Sequence, residues 1–256
     1  MVEIAICLAI IGIALVAIIG VLPLGINVQK DNREETLIDQ DATVFIENIR
    51  NGARGLDDLT NYVFAITNSW TLYNANGTVN GIGTNGYSYT AAFAYGTSVP
   101  FMALTNGLNI IGLLSTPEYL DPNLLLPIPD LSNTGGYSNH VVAYVHSLSG
   151  PAVEKPPQDN PIILGDTFSY KMICNNVPVA VDTNSTVSAY NRQLTANLHE
   201  LRLTFLWPLL PNGRAGAVTP PHTFATTIAG QIVQTNVNGS GQMLYFFQPQ
   251  SFTNAP

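Results

Sequence analysis

From Ile4 to Leu22 the chain carries no charged and no strongly polar side chain. That run is about nineteen residues long, and a helix needs about twenty to cross a bilayer core. A cleaved leader is the rival reading. It fits poorly, because no basic stretch precedes the run and no small-residue cleavage site follows it. "VLPLG" follows instead, so the pattern predicts a retained anchor. Gly20, Pro23 and Gly25 cluster where the run ends. Pro23 lacks an N–H and clashes with the preceding turn, which predicts a kink or a locally melted segment. Helical periodicity then resumes: Ile38, Ala42, Phe45 and Ile49 fall at i, i+4, i+7 and i+11, with Leu37 and Val44 beside them. Glu34, Glu35, Asp39 and Glu47 lie towards the other side, Arg50 sits in the last turn, and Gly52 follows as a C-cap. The expectation is one long helix over residues 1–52, apolar all round in its first half and amphipathic in its second. At 1.5 Å per residue it would span about 75 Å.

After "RNGARGLDDLT" the pattern changes, and residues 53–256 are expected to form a separate head. "YVFAI", "WTLYN", "YTAAFAY", "HVVAYVHSL" and "MLYFFQ" are rich in aromatic and β-branched residues, as strands are. "LRLTFLW" alternates Leu201, Leu203, Phe205 and Trp207 with Arg202, Thr204 and Leu206, a half-buried strand. "STPEYL" predicts a short helical turn with Thr116 as N-cap and Pro117 at the first helical position. Residues 120–133 and 150–161 read as ordered loops. The predicted class is α+β: the helix stripe packs on an antiparallel, loop-rich sheet.

Composition sharpens this picture in three ways. Only 10% of the 256 residues are charged, so the polar surface is built from Asn, Thr, Ser, Gln and Gly. Such a surface suits a protein packed against copies of itself outside the cytosol. The net charge of −8 argues against nucleic acid as a partner. Of the two cysteines, Cys7 lies in the apolar run and Cys174 far along the chain, so no disulfide is expected.

Glu3 stands almost at the tip of the apolar run. An acid at the bilayer centre costs about 2.5–3.5 kcal/mol on insertion scales and less near the end, yet it still needs a cation. No lysine or arginine precedes Lys30. An α-amino terminus is the remaining positive group, and a straight helix points its own terminus away along the axis. A neighbouring helix displaced by about one turn would bring its Met1 terminus alongside Glu3. The alternative is a carboxylate in the first turn, favoured by the helix dipole alone.

The run "MVEIAICLAIIGIALVAIIGVLPLG", with a glutamate near its start, a Gly–Pro break and an amphipathic continuation, resembles type IV pilins and type II secretion pseudopilins. The resemblance covers roughly the first 55 residues. It implies a helical filament whose core is built from Ile4, Leu8, Ile11 and Leu15, with Glu3 pairing to a neighbour's N-terminus at Met1. Gly20, Pro23 and Gly25 would form the extensible break. It further implies an inner-membrane pool before assembly, a prepilin peptidase, and an assembly machine as partners. Glu3 lies about two residues nearer the start than in that superfamily, which implies a leader and first mature residues ahead of Met1. "LHELRLTFLWPLLPNGRAG" and "HTFATTIAGQI" resemble large prepilin-like proteins of the Verru_Chthon cassette type.

The remaining motifs carry little chemistry. "GIGTNG" at 81–86 satisfies G-x-G-x-x-G but lies in a turn-rich stretch rather than between a strand and a helix, so it reads as turns. His140, His146, His199 and His222 lack metal-site spacing and read as surface or interface histidines. Asp57 and Asp58 lack an EF-hand pattern and read as a solvated acidic pair. No G-x-S-x-G elbow occurs. Asn76, Asn184 and Asn238 open N-x-S/T triplets and are candidate glycan acceptors. No catalytic residue, cofactor or metal is expected. The function expected is a structural subunit of an extracellular pilus-like or pseudopilus filament. A membrane-anchored monomeric binding or adhesion module is the alternative, and a signal-anchored enzyme the third reading.

Overall fold

A computed structural model of the chain describes residues 2–52, 57–88, 101–104, 106–132, 134–148, 168–179, 189–210, 212–216, 221–236 and 243–252. Met1, the segment "YTAAFAY", the loop 150–161, and Asn184 and Asn238 lie outside the described residues. The chain is an α+β protein, a long N-terminal helix followed by a mostly antiparallel sheet. It divides into two compact units, Met1–Gln40 and Asp41–Pro256, with the division falling inside the helix.

Helix α1 runs from Val2 to Arg50 without interruption, with Pro23 inside it. The locally melted segment expected at Gly20–Gly25 is therefore absent: the helix continues through it. Proline withdraws the single N–H that would reach the carbonyl of Ile19, and the turns on either side keep their own bonds. The helix ends as its sequence predicts. Gly52 takes φ +55° and donates its N–H to the Ile49 carbonyl at 3.1 Å. A Cβ there would also strike the Phe247 carbonyl oxygen, so the cap position needs glycine twice over. Ile38, Ala42, Phe45 and Ile49 are all fully buried.

In the second unit a 3-10 turn, Asp57–Asn61, leads into strands β1 (Val63–Tyr73), β2 (Val79–Ser88) and β3 (Phe101–Ala103). Helix α2 (Gly107–Leu114) and the short β4 (Tyr119–Leu120) follow, then β5 (Gly136–His146) and β6 (Ser169–Pro178). Helix α3 (Ala189–Asn197) runs directly into β7 (Leu198–Leu206), and β8 (His222–Ala229), β9 (Gln231–Asn236) and β10 (Met243–Gln248) complete the order. The main sheet runs β3-β2-β1-β5-β6-β7-β8, with β4 on β5, and β9 and β10 form a separate pair. Among the described strands, only β2 and β3 pair in parallel.

Burial alternates along β6 and β7, which puts Tyr170, Met172 and Cys174 on one face with Leu201, Leu203 and Phe205. The alternation predicted in "LRLTFLW" is thus the inner face of β7, and Trp207 is buried just beyond the strand. Helix α2 packs against β1, β5 and β10. Gly112 lies so close to Leu244 and Phe246 that a Cβ would overlap both side chains.

Two local expectations fail for clear reasons. "GIGTNG" is extended backbone within β2, not a series of turns. Gly83 lies opposite Trp70, and the indole occupies the place of a Cβ. The glycines make room for an aromatic ring. "STPEYL" is not helical; the helix is the preceding segment, capped by Asn106, whose side-chain oxygen accepts the Asn109 N–H at 2.9 Å. The backbone of 115–118 is engaged elsewhere. Asn176 Nδ2 donates to the Ser115 carbonyl at 2.7 Å, Asn139 Nδ2 to the Pro117 carbonyl at 3.1 Å, and the Glu118 N–H to the Asn176 carbonyl at 2.8 Å.

Candidate functional site

The first unit presents its chemistry along the apolar half of α1. Among the described residues α1 is the one helix long and apolar enough to cross a membrane, and none of its most apolar stretch is buried. Ile4, Leu8, Ile11 and Leu15 are each between 52% and 66% exposed. At about 100° per residue their spacing lines them along one face. Glu3 lies about a quarter-turn away, in line with Cys7, Ile10 and Ala14. An acid thus flanks the apolar stripe. The first cation along the helix, Lys30, lies about 40 Å further on and is paired with Glu34 at 3.6 Å. Gly12, Gly20 and Gly25 have no neighbouring side chain or backbone within 4 Å of where a Cβ would stand.

The second unit contains a group that periodicity alone could have flagged. Asp41 follows Ile38 by three residues and precedes Phe45 by four, on the apolar side of the amphipathic half. Its carboxylate is fully buried. One oxygen, Oδ2, accepts from the Ser147 hydroxyl at 2.9 Å, the Leu148 N–H at 2.9 Å and the Tyr170 hydroxyl at 3.0 Å. Burial, and then the adjacent Asp41 carboxylate, hold the Tyr170 phenol well above its usual pKa, so it remains a donor. These bonds tie the C-terminal part of α1 to the ends of β5 and β6.

The histidines do not converge, and among the described residues no three His, Cys, Asp or Glu side chains are grouped to hold a metal. His199 is a core residue rather than a surface one, set edge-on to Phe247 at 5.4 Å. Strand alternation puts it on the inner face, where Glu200 points away. His146 is stacked on Phe64 at 4.4 Å, with Nδ1 2.7 Å from the Ser169 hydroxyl. Burial lowers the pKa of each to about 4. The unfolded chain, titrating near 6.5, binds more protons between those values. The stability they contribute is therefore complete above pH about 6.5 and is lost as pH falls towards 4. Urea denaturation at pH 7.5 and at 4.5 is expected to show a lower midpoint in acid. A His146→Gln, His199→Gln double variant should flatten that dependence by on the order of 2 kcal/mol per histidine.

Cys7 is exposed and Cys174 buried, and both are free thiols. Burial pushes the Cys174 thiol up, away from the reactive thiolate. A membrane-permeant maleimide should modify one thiol per native chain in detergent and two after unfolding, as read by intact mass. Asp57 and Asp58 fall in the 3-10 turn, and Asn76 stands exposed at the turn between β1 and β2. Comparison with protein-family models, with curated proteins and with solved structures yields no match.

Proposed function

We propose that the chain is a structural subunit of a pilus-like or pseudopilus filament. Subunits are held in the membrane by the apolar half of α1 and are joined in the filament by packing of the same surface against copies of itself. The observation that carries this reading is the first half of α1, apolar on every side, with none of its most apolar stretch buried and one acid, Glu3, near its start. A helix apolar all round is stable only in lipid or inside a bundle. Lipid accounts for the apolar surface but gives Glu3 no cation, whereas a staggered neighbour does both. Burial in a bundle contributes about 25 cal/mol for each Å² of apolar surface kept from water. In lipid that drive is absent, so extraction requires an energy-coupled machine in the membrane. The head forms the outer surface of the filament.

A membrane-anchored monomer carrying the same head as a binding module is the competing reading. It is favoured by the helix's length and composition, which suffice for a simple anchor. Electron microscopy of sheared cell-surface material separates the two. The filament reading expects fibres that label with antibody to the head, and the anchor reading expects all antigen to remain in detergent-soluble membrane. An envelope fraction holding only monomer under conditions of normal expression would end the filament proposal.

A further inference from the structure

The turn between β1 and β2 carries one of the three N-x-S/T triplets, Asn76-Gly77-Thr78, and its geometry goes beyond the sequence match. The Asn74 N–H donates to the Thr78 carbonyl at 2.8 Å, and the Gly77 N–H to the Asn74 carbonyl at 2.9 Å. Gly77 turns the corner at φ +78°, a conformation that favours glycine. A Cβ added there would meet nothing within 4 Å, so the tip stands in open space.

Within that turn the two reactive side chains are locked to each other. Asn76 Oδ1 accepts both the Thr78 N–H at 3.0 Å and the Thr78 hydroxyl at 2.6 Å. A main-chain N–H can only donate, so the amide atom facing it is the oxygen. The planar carboxamide therefore turns its Nδ2 outwards. The hydroxyl is fixed as well, because Asn74 Nδ2 donates to it at 3.0 Å and leaves it free to donate to Asn76. The acceptor nitrogen is thus presented to solvent on a rigid tip rather than on a floppy loop.

The neighbouring surface supplies a second, independent reason for a covering group. Val79 is 57% exposed and Ile82 75% exposed. They lie opposite Tyr73 and Thr71 in the β1–β2 ladder, so they share one face of the hairpin just beyond Asn76. Two large aliphatic side chains stand in water on the hairpin whose turn carries Asn76.

We propose that Asn76 carries an N-linked glycan, and that this glycan covers the apolar end of the β1–β2 hairpin. The donor is a glycan carried on a lipid phosphate or pyrophosphate. Asn76 Nδ2 forms the new C–N bond to the anomeric carbon, the bond from that carbon to the phosphate oxygen breaks, and the lipid phosphate leaves. One amide proton passes to a base of the transferase. The modification rests on the proposed function to one extent: the head must lie outside the cytoplasm.

Peptide mass spectrometry of the protein isolated from the cells that make it tests the assignment, together with protease treatment of the intact cells. The expected result is a head open to protease and a hexose-containing mass increment on the peptide bearing Asn76. That increment should be lost in Asn76→Gln and Thr78→Ala and retained in Thr78→Ser, which keeps the hydroxyl. A head open to protease with Asn76 unmodified overturns the glycan and leaves the export reading standing. So does Asn76 converted only to aspartate, the +1 Da product of spontaneous Asn–Gly deamidation. A head closed to protease with Asn76 bare overturns both.

Discussion

Replacing Asp41 with alanine is expected to destabilise the head by on the order of 3–5 kcal/mol. The carboxylate is buried, and the Ser147 hydroxyl, the Leu148 N–H and the Tyr170 hydroxyl all end on its Oδ2. Alanine removes the acceptor and strands the donors where water cannot reach them, and each stranded donor costs about 1–3 kcal/mol. Their losses overlap, so the total falls short of the sum. Asp41→Asn keeps one carbonyl oxygen in place and should lose less than alanine. Tyr170→Phe removes a single donor and should cost about 1–2 kcal/mol. Because the phenol and the carboxylate share a bond, the Asp41→Ala, Tyr170→Phe pair should be less damaging together than the two singles summed. The check is urea unfolding of the full chain in detergent, followed by tryptophan fluorescence; Trp70 and Trp207, the only two tryptophans, both lie in the head. An Asp41→Ala midpoint within about 1 kcal/mol of the parent would show that the carboxylate is not what holds this part of α1 to the sheet.

Asp41 also shows how far the sequence could be read. The stripe Ile38, Ala42, Phe45 and Ile49 was legible because a helix buried on one side repeats every 3.6 residues. Asp41 was not read, although the same arithmetic places it on that side, three residues after Ile38 and four before Phe45. What periodicity cannot supply is the identity of the donors, which come from residues more than 100 positions away. Strand β7 was legible because it is covered on one face only. Helix α2 was not: seven of its eight residues are buried, so "GLNIIGLL" shows no polar face and no period to detect. Asn106 caps its start, but Asn is equally at home in turns. The glycines of β2 misled because their reason lies on the facing strand, in Trp70. At Pro23 the melted segment does not form, since one lost hydrogen bond does not end a helix whose other turns remain bonded. On the apolar half of α1, composition marks a surface long and apolar enough to cross a membrane, while what covers it is not written in the sequence of one chain.

Glu3→Ala is expected to leave the subunit in the membrane and to reduce filament yield at least about tenfold, the equivalent of 1.4 kcal/mol per subunit contact. The two environments proposed for α1 respond to the change in opposite ways. In lipid an uncompensated acid next to the apolar run is at best tolerated, so alanine leaves insertion unchanged or improves it. In a bundle the same acid lies among apolar neighbours, about 40 Å from Lys30 along its own helix. Only one stagger would then bring a neighbour's terminal amine within reach. Removing the acid leaves that amine buried and unpaired, which costs about 2–5 kcal/mol at a close charge pair, and the loss recurs at every subunit. Glu3→Gln separates charge from shape: it keeps the size and the hydrogen-bonding capacity, and should assemble almost as poorly as alanine if charge sets the register. Membrane-fraction immunoblots would give the subunit level, and counts of sheared fibres the assembly. Normal fibre counts for both variants, at normal membrane levels, would mean that the acid serves only the dipole of its own helix and that the packing register is set elsewhere.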